Sequence, residues 1–301
     1  MIPVTVFTPT YDRLSLLKRL YTSLQRQTVK EFEWVVVDDG SEDETDKWVQ
    51  SIISSAPFDI KYKKVPHGGK HRAINIGLNM AAGEYFFIVD SDDYLPDDAI
   101  AVVSEWIREV RGIDYLAGVA GLRADPSGRV IGERPAKDSD TYVECSSIER
   151  YRMKLQGDKA EVYRTSLLKE YPFPEFDGEF FLTERVVWDR IAHDGYKIRW
   201  YNTPIYFCEY TETGLTNSGA NSLQGHLANY RGYLEFVKQS VYYLEPVEAL
   251  AVFRNYNVTA RKKGIGIPQR AEDIGFSIRK YLIYMFIKVP FYYSIRILLG
   301  L

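Results

Sequence analysis

The chain of 301 residues holds only two cysteines, Cys145 and Cys208, far apart and without metal-ligand spacing. That excludes a disulfide framework or a zinc site and fits a reducing compartment. Positive charge is not in excess either: the formal net charge is −3, so the molecule as a whole has no electrostatic footprint for nucleic acid. Long apolar runs are missing as well. The most hydrophobic stretch, Y-L-I-Y-M-F-I-K-V-P-F-Y-Y-S-I-R-I-L-L-G-L at 281–301, reaches seven residues before Lys288, against the roughly 20 that a spanning helix needs. The opening M-I-P-V-T-V-F lacks the basic, apolar and small-residue order of a signal peptide, and the expected location is the cytoplasm. No G-x-G-x-x-G follows the first apolar run, which disfavours an NAD-type oxidoreductase.

What is present is the profile of a soluble globular protein, 46% hydrophobic and 26% charged, long enough for one large domain with a smaller appendage. Val4 to Thr8 reads as a strand. Leu17, Leu20, Tyr21 and Leu24 then recur at helical spacing behind Asp12, a candidate N-cap. The unit repeats with Trp34 to Val37 followed by Trp48, Val49, Ile52 and Ile53. It repeats again with Ala73, Ile76, Gly77 and Met80 ahead of the strand Tyr85 to Val89. Asp97 and Asp98 read as a helix start before Ile100, Val103, Trp106 and Ile107. Alternating units of this kind predict an α/β fold with a largely parallel sheet between layers of helices. Further strands are expected at Tyr115 to Leu122, Lys197 to Trp200 and Ile205 to Phe207, and helices at Thr183 to His193 and across 222–262.

In such sheets ligands bind beyond the carboxyl ends of the strands, so the polar residues there are informative. I-V-D-S-D-D-Y at 88–94 ends a buried strand in three carboxylates, Asp90, Asp92 and Asp93. Crowding like charges is costly unless a cation relieves it. Mg²⁺ or Mn²⁺ does so with one or two carboxylates when a substrate phosphate completes the shell. A lone D-x-D is weak evidence, but three further blocks accompany it: V-F-T-P-T-Y-D-R at 6–13, V-V-V-D-D-G-S at 35–41 and H-G-G-K-H-R-A-I-N-I-G at 67–77. Together they resemble the inverting glycosyltransferases of family 2. The resemblance is strong over residues 2 to about 110 and moderate over 157–217.

This resemblance implies the GT-A fold, a Rossmann-like, mostly parallel mixed sheet flanked by helices, here with a C-terminal helical extension. It implies a catalytic domain over 1–220, with a nucleotide-sugar half to about 110 and an acceptor half beyond it, and a helical region over 221–301. For the nucleotide-sugar it implies Thr8, Pro9, Tyr11, Asp12, Asp39 (with Asp38 beside it), Lys70, Arg72, Asp90 and Ser91. For a divalent metal, Mn²⁺ or Mg²⁺, it implies Asp92 with Asp90, leaving Asp93 unassigned. Asn75 and Gly69 match family positions, and Asn75 is equally open to a structural role.

An inverting transfer also needs a base for the acceptor hydroxyl. The segment E-F-F-L-T-E-R-V-V-W-D-R-I-A at 179–192 resembles the family's E-D-x-x-x-W stretch and points to Glu184, with Arg185 where the second acid is expected. Asp189 and Glu179 stay open as alternatives, and Trp188 reads as core. Asp158 and Lys159, in G-D-K-A-E-V-Y-R, are expected near acceptor or donor phosphate. Gly214, Thr216 and Asn217, in E-Y-T-E-T-G-L-T-N, are expected on a loop closing over the donor. The expected reaction moves a sugar from a nucleotide diphosphate, a UDP-sugar, to a saccharide or lipid-linked saccharide. A binding protein that kept the fold and lost catalysis is the competing reading.

From Arg261 to Leu301 the chain carries eight Lys/Arg and two Asp/Glu, leaving a net −9 before it. Basic, aromatic and apolar residues together at 281–301 fit a peripheral segment on the anionic inner face of the cytoplasmic membrane. Packing back on the catalytic domain, or on a partner in a homodimer, fits equally.

Overall fold

The structure, a computed structural model, describes residues 2–134, 141–208 and 222–290. Val4–Thr10 (β1), Leu14–Arg26 (α1), Phe32–Asp38 (β2), Thr45–Ile52 (α2), Asp59–Lys64 (β3), Lys70–Met80 (α3), Tyr85–Ile88 (β4) and Ala99–Val110 (α4) form the first half. Leu116–Ala124 (β5), Tyr142–Cys145 (β6), Lys159–Arg164 (β7), Thr165–Glu170 (α5), Arg185–His193 (α6) and Lys197–Phe207 (β8) form the second. All eight strands share one sheet in the order β3-β2-β1-β4-β7-β5-β8-β6. From β3 to β4 the pairing is parallel, β7 runs antiparallel to both β4 and β5, and β6 is an antiparallel edge on β8. The sheet is therefore mixed, as a GT-A fold requires.

Period-two alternation sorts the strand side chains between two cores. Val4, Val6, Trp34 and Val36 face one helical layer with Leu17, Leu20, Val103 and Trp106. Phe7, Val35 and Val37 face the other with Ile74, Leu78, Val186 and Trp188. Burial on both faces explains why W-V-V-V reads as an unbroken apolar run rather than an alternating one. Strand order reverses around β1, with β2 on one side and β4 on the other, so the ends of these strands flank the site of ligand binding in folds of this type.

Several sequence expectations are corrected. Lys197 to Trp200 and Ile205 to Phe207 belong to the single strand β8. Strands β3, β6 and β7, short and rich in charged residues, had no expectation at all. Asp12 is not the N-cap of α1: it lies at φ +49°, and its carboxylate accepts from the Glu42 and Asp43 backbone N–H groups. Asp43 reaches across to cap the Leu14 N–H at 3.0 Å. The helical stretch across 222–262 is three helices, Leu223–Ala228 (α7), Tyr230–Tyr243 (α8) and Pro246–Lys262 (α9), interrupted at Asn229 and before Pro246. Ile267–Asp273 (α10) and Ile278–Ile283 (α11) follow, and a π-helical turn over Tyr284–Lys288 extends α11. These helices build a third core around Phe253, Tyr256 and Tyr281.

Glu179 joins that region to the sheet. Its buried carboxylate accepts from the Arg231 and Gly232 backbone N–H groups at 2.9 and 2.8 Å, at the N-terminus of α8, where the exposed amides and the helix dipole favour an anion.

Candidate active site

A cleft of about 670 Å³ opens beyond the carboxyl ends of β1, β2 and β4. Its floor at the β2 end is set by two adjacent acids. Asp38 accepts from the Ser41 N–H and the Tyr62 hydroxyl, both at 2.7 Å, and so fixes the strand end. Asp39 lines the cleft and accepts from the Gly68 and Gly69 N–H groups at 2.8 Å, with His67 Nδ1 at the same distance. Gly69 sits at φ +94°, and a Cβ there would lie 2.1 Å from the Phe180 carbonyl oxygen, so only glycine fits this approach. The result is a three-ring stack: Tyr11 on His67 at 4.3 Å and His67 on Phe180 at 4.9 Å between ring centroids. Tyr11 remains 44% exposed, a flat face at the cleft rim.

Just beyond, Lys70 opens α3 and joins two elements. Its ammonium lies 2.6 Å from Asp90 at the β4 end and 2.8 Å from Glu184 at the start of α6. Burial opposes the charge on Lys70, but the two carboxylates outweigh it and hold the amine well above the usual lysine range. Burial likewise raises Asp90, yet Lys70 and Arg123 prevail and hold it below the ordinary carboxylate range. Asp92 pairs with Arg13 at 2.7 Å, and its carbonyl accepts from Arg19. Asp93 turns inward to the Tyr206 hydroxyl at 2.8 Å, where burial and the nearby Asp90 push its carboxyl up to about 7. All three carboxylates line the cleft: Asp90 and Asp92 pair with Lys70 and Arg13, while Asp93 is held by the Tyr206 hydroxyl with Arg123 3.9 Å away.

Hard oxygen donors from Asp90 and Asp92, side by side at one strand end, suit a Mg²⁺ or Mn²⁺ whose remaining shell comes from phosphate and water. Among the described residues no group of three His, Cys, Asp or Glu converges on one point. The donor set therefore fits a cation shared with a diphosphate rather than an all-protein cage.

The far side of the cleft is built by β5, β7 and the C-terminal helices. Arg123 crosses the Tyr206 ring at 4.2 Å, and Arg150 faces Glu161 at 3.6 Å. Lys159 donates to the Gln156 carbonyl at 3.0 Å, and burial with the neighbouring Arg150 lowers its amine to about 8. Asp158 also lines this wall, and His226, Tyr233 and Phe236 of α7 and α8 close it.

Of the residues expected in the site, Pro9, Tyr11, Asp39, Lys70, Asp90, Ser91, Asp92 and Glu184 come together around this cleft. Three do not. Thr8 points into the core, its hydroxyl accepting from Trp34 Nε1 at 3.0 Å, and Thr10 takes the place at the rim. Asp12 organises the 42–43 turn, as described. Arg72 donates to the nearby Gly68 carbonyl at 2.7 Å and to the distant Glu179 and Phe176 carbonyls at 3.1 and 2.6 Å. Asn75 brackets the Phe173 backbone from both sides and is structural.

The two other acids of this segment, Asp189 and Glu179, are buried and do not line the cleft. Asp189 lies on the buried side of α6, held by Ser147 at 3.0 Å and Arg185 at 3.3 Å, and Glu179 binds the backbone at the start of α8. Arg185 itself reaches Asp189 and, at 4.0 Å, Glu248 of α9. Trp188 stacks on Tyr163 at 4.2 Å as core. The stretch 209–217 lies outside the described residues. Sequence reading missed Arg13, His67 and Phe180 as wall residues. The first two sit inside recognised blocks, adjacent to assigned positions, while Phe180 carries no local signal.

Over 193 residues, 62% of this chain and 59% of the relative, the protein is 29% identical to a GalNAc(5)-diNAcBac-PP-undecaprenol beta-1,3-glucosyltransferase of Campylobacter jejuni. Over 179 residues, 58% of this chain and 30% of the relative, it is 29% identical to the poly(ribitol-phosphate) beta-N-acetylglucosaminyltransferase TarS of Staphylococcus aureus. The match thus spans less than two thirds of either relative's length. A crystal structure of S. aureus TarS 1-349 with UDP-GlcNAc superposes with TM-score 0.65 at 22% identity, covering 87% of this chain and 74% of that one. A mannosyltransferase from Pyrobaculum calidifontis with GDP-Man and Mn²⁺ superposes at 0.53 with 17% identity, covering 95% of this chain and 86% of that one. Both likenesses concern the fold. The family model for glycosyl transferase family 2 matches residues 5–167, from β1 through the start of α5 and including the ends of β1, β2 and β4. On that match the chain belongs to glycosyl transferase family 2.

Proposed function

We propose that the protein transfers a sugar from a nucleotide diphosphate donor, a UDP-sugar, to a hydroxyl of a saccharide or lipid-linked saccharide, with inversion at the anomeric carbon. The observation that carries this reading is the convergence of Lys70, Asp90 and Glu184 in one cleft from three different elements. Tyr11, Pro9 and Asp39 take the nucleotide at the β1 and β2 ends. Asp90 and Asp92 would hold Mn²⁺ or Mg²⁺ beside the diphosphate, and the cation would supply positive charge against the leaving group. Glu184 accepts the proton of the acceptor hydroxyl, whose oxygen bonds to the anomeric carbon as the bond to the diphosphate breaks. Lys70 keeps the Glu184 carboxylate aimed into the cleft and in register with the Asp90 end, where the donor lies. Arg185, at the position of a second family acid, ties α6 to α9, and its replacement leaves Glu184 as the cleft's base.

The relatives support the donor and acceptor classes in words: one is named for an undecaprenol-linked acceptor and another was crystallised with UDP-GlcNAc. Proton NMR of the fresh product, with an α-linked UDP-sugar, Mn²⁺ and a saccharide acceptor, tests the stereochemistry. A β-linked product is expected. An α-linked product would remove the single-displacement role of Glu184.

A further inference from the structure

The last described helices present an unusual surface. Tyr281, Tyr284, Met285 and Val289 point inward against Phe253 and Phe276, the packing that any terminal helix needs. Large apolar side chains are exposed along the same stretch: Ile278 is 50%, Ile283 37%, Phe286 66% and Ile287 61% exposed. An ordinary surface helix is polar at its exposed positions. The charged residues among them are all cations, Arg279, Lys280 and Lys288, with no acid from Phe276 to Pro290. Lys280 lies over the Phe276 and Tyr242 rings at 3.8 and 5.0 Å, and Lys288 over Tyr284 at 4.4 Å, so apolar stems and rings carry the positive heads at the rim. The neighbouring acids of α10, Glu272 and Asp273, are engaged by Gln269 and Tyr256.

We infer that this segment, with Ile278, Ile283, Phe286 and Ile287 exposed among Arg279, Lys280 and Lys288, seats the protein on an anionic lipid surface. Apolar side chains enter the headgroup boundary while Lys and Arg meet the anionic headgroups, which is how an interfacial helix binds. Charge argues against a second copy as the occupant, because a twofold contact centred here would set three cations against their own duplicates. The position suits a lipid-linked acceptor. Tyr242, whose hydroxyl donates to the Gly275 carbonyl at 2.9 Å, lies on the same helix as Tyr233 of the cleft wall, about 14 Å further along it at the α-helical rise. The inference stands whether or not the cleft transfers sugar.

Flotation of the full chain with vesicles of 30% phosphatidylglycerol in phosphatidylcholine tests it directly. Partition into these vesicles is expected, with little into pure phosphatidylcholine and a sharp decline as salt rises. Phe286→Asp with Ile287→Asp is expected to lower the partition by about 100-fold, and Arg279→Gln with Lys288→Gln by about tenfold. Melting curves of both variants should match wild type, since the altered side chains are exposed. Binding equal to wild type in the aspartate variant would overturn the inference. So would no vesicle binding by wild type, or a dimer in light scattering that the aspartate variant dissociates without any lipid effect.

Discussion

Glu184→Gln is expected to slow transfer by about 10²- to 10⁴-fold, the range that a positioned general base contributes, while leaving donor binding close to wild type. Glutamine keeps the shape and still accepts from Lys70, 2.8 Å away in the native protein, but it cannot take a proton. The loss should therefore fall on kcat rather than KM, as for an interaction made only in the transition state. Asp189→Asn and Glu179→Gln provide the contrast. Both native carboxylates are buried outside the cleft, so their replacement should cost stability, read from denaturation, more than turnover. A Glu184→Gln variant with near-native kcat would move the base elsewhere.

Asp92→Asn is expected to lower transfer by about 10²-fold or more and to shift the Mn²⁺ concentration for half-maximal rate upward. The amide keeps one oxygen donor but brings no negative charge to a cation that must bind between a strand end and a diphosphate. Arg13, 2.7 Å from the native carboxylate, keeps an oxygen acceptor in the amide but loses the negative charge opposite it. High Mn²⁺ should restore part of the rate, because Asp90 and the amide oxygen still offer donors to a more weakly held cation. Treatment of wild type with a chelator should reproduce the loss reversibly. Unchanged metal dependence in Asp92→Asn would remove this residue from the cation site.

Much of this site was legible because the strands that carry it are buried on both faces. A run such as W-V-V-V followed at once by D-D announces both a central strand and its carboxyl end, and the same holds for the β4 strand before Asp90. What sequence could not show is where a side chain points once the chain turns. Thr8 and Thr10 share strand parity and differ only in depth: one is sealed against Trp34, the other, two residues nearer the carboxyl end, lines the cleft. Asp12 and Arg72 lie within the right blocks but spend their polar atoms on partners 30 and 104 to 107 residues away. Strands β3 and β7 escaped notice because D-I-K-Y-K-K and K-A-E-V-Y-R owe their conformation to sheet neighbours rather than to local hydrophobicity. The helical wall of the cleft, with His226, Tyr233 and Phe236, arises from a long-range approach anchored by Glu179 that no local pattern encodes.

The central claim is that this cleft binds a nucleoside diphosphate through a cation at Asp90 and Asp92. Its most direct test is the melting temperature with UDP and Mn²⁺ together, each alone, and neither. A ligand that binds only the folded state at 100 times its dissociation constant adds about 2.7 kcal/mol, roughly 5 °C for a chain of this size. The account expects that shift from UDP with Mn²⁺, retained in Glu184→Gln and largely lost in Asp92→Asn. No shift from UDP or GDP with either Mn²⁺ or Mg²⁺, or an undiminished shift in Asp92→Asn, would contradict it.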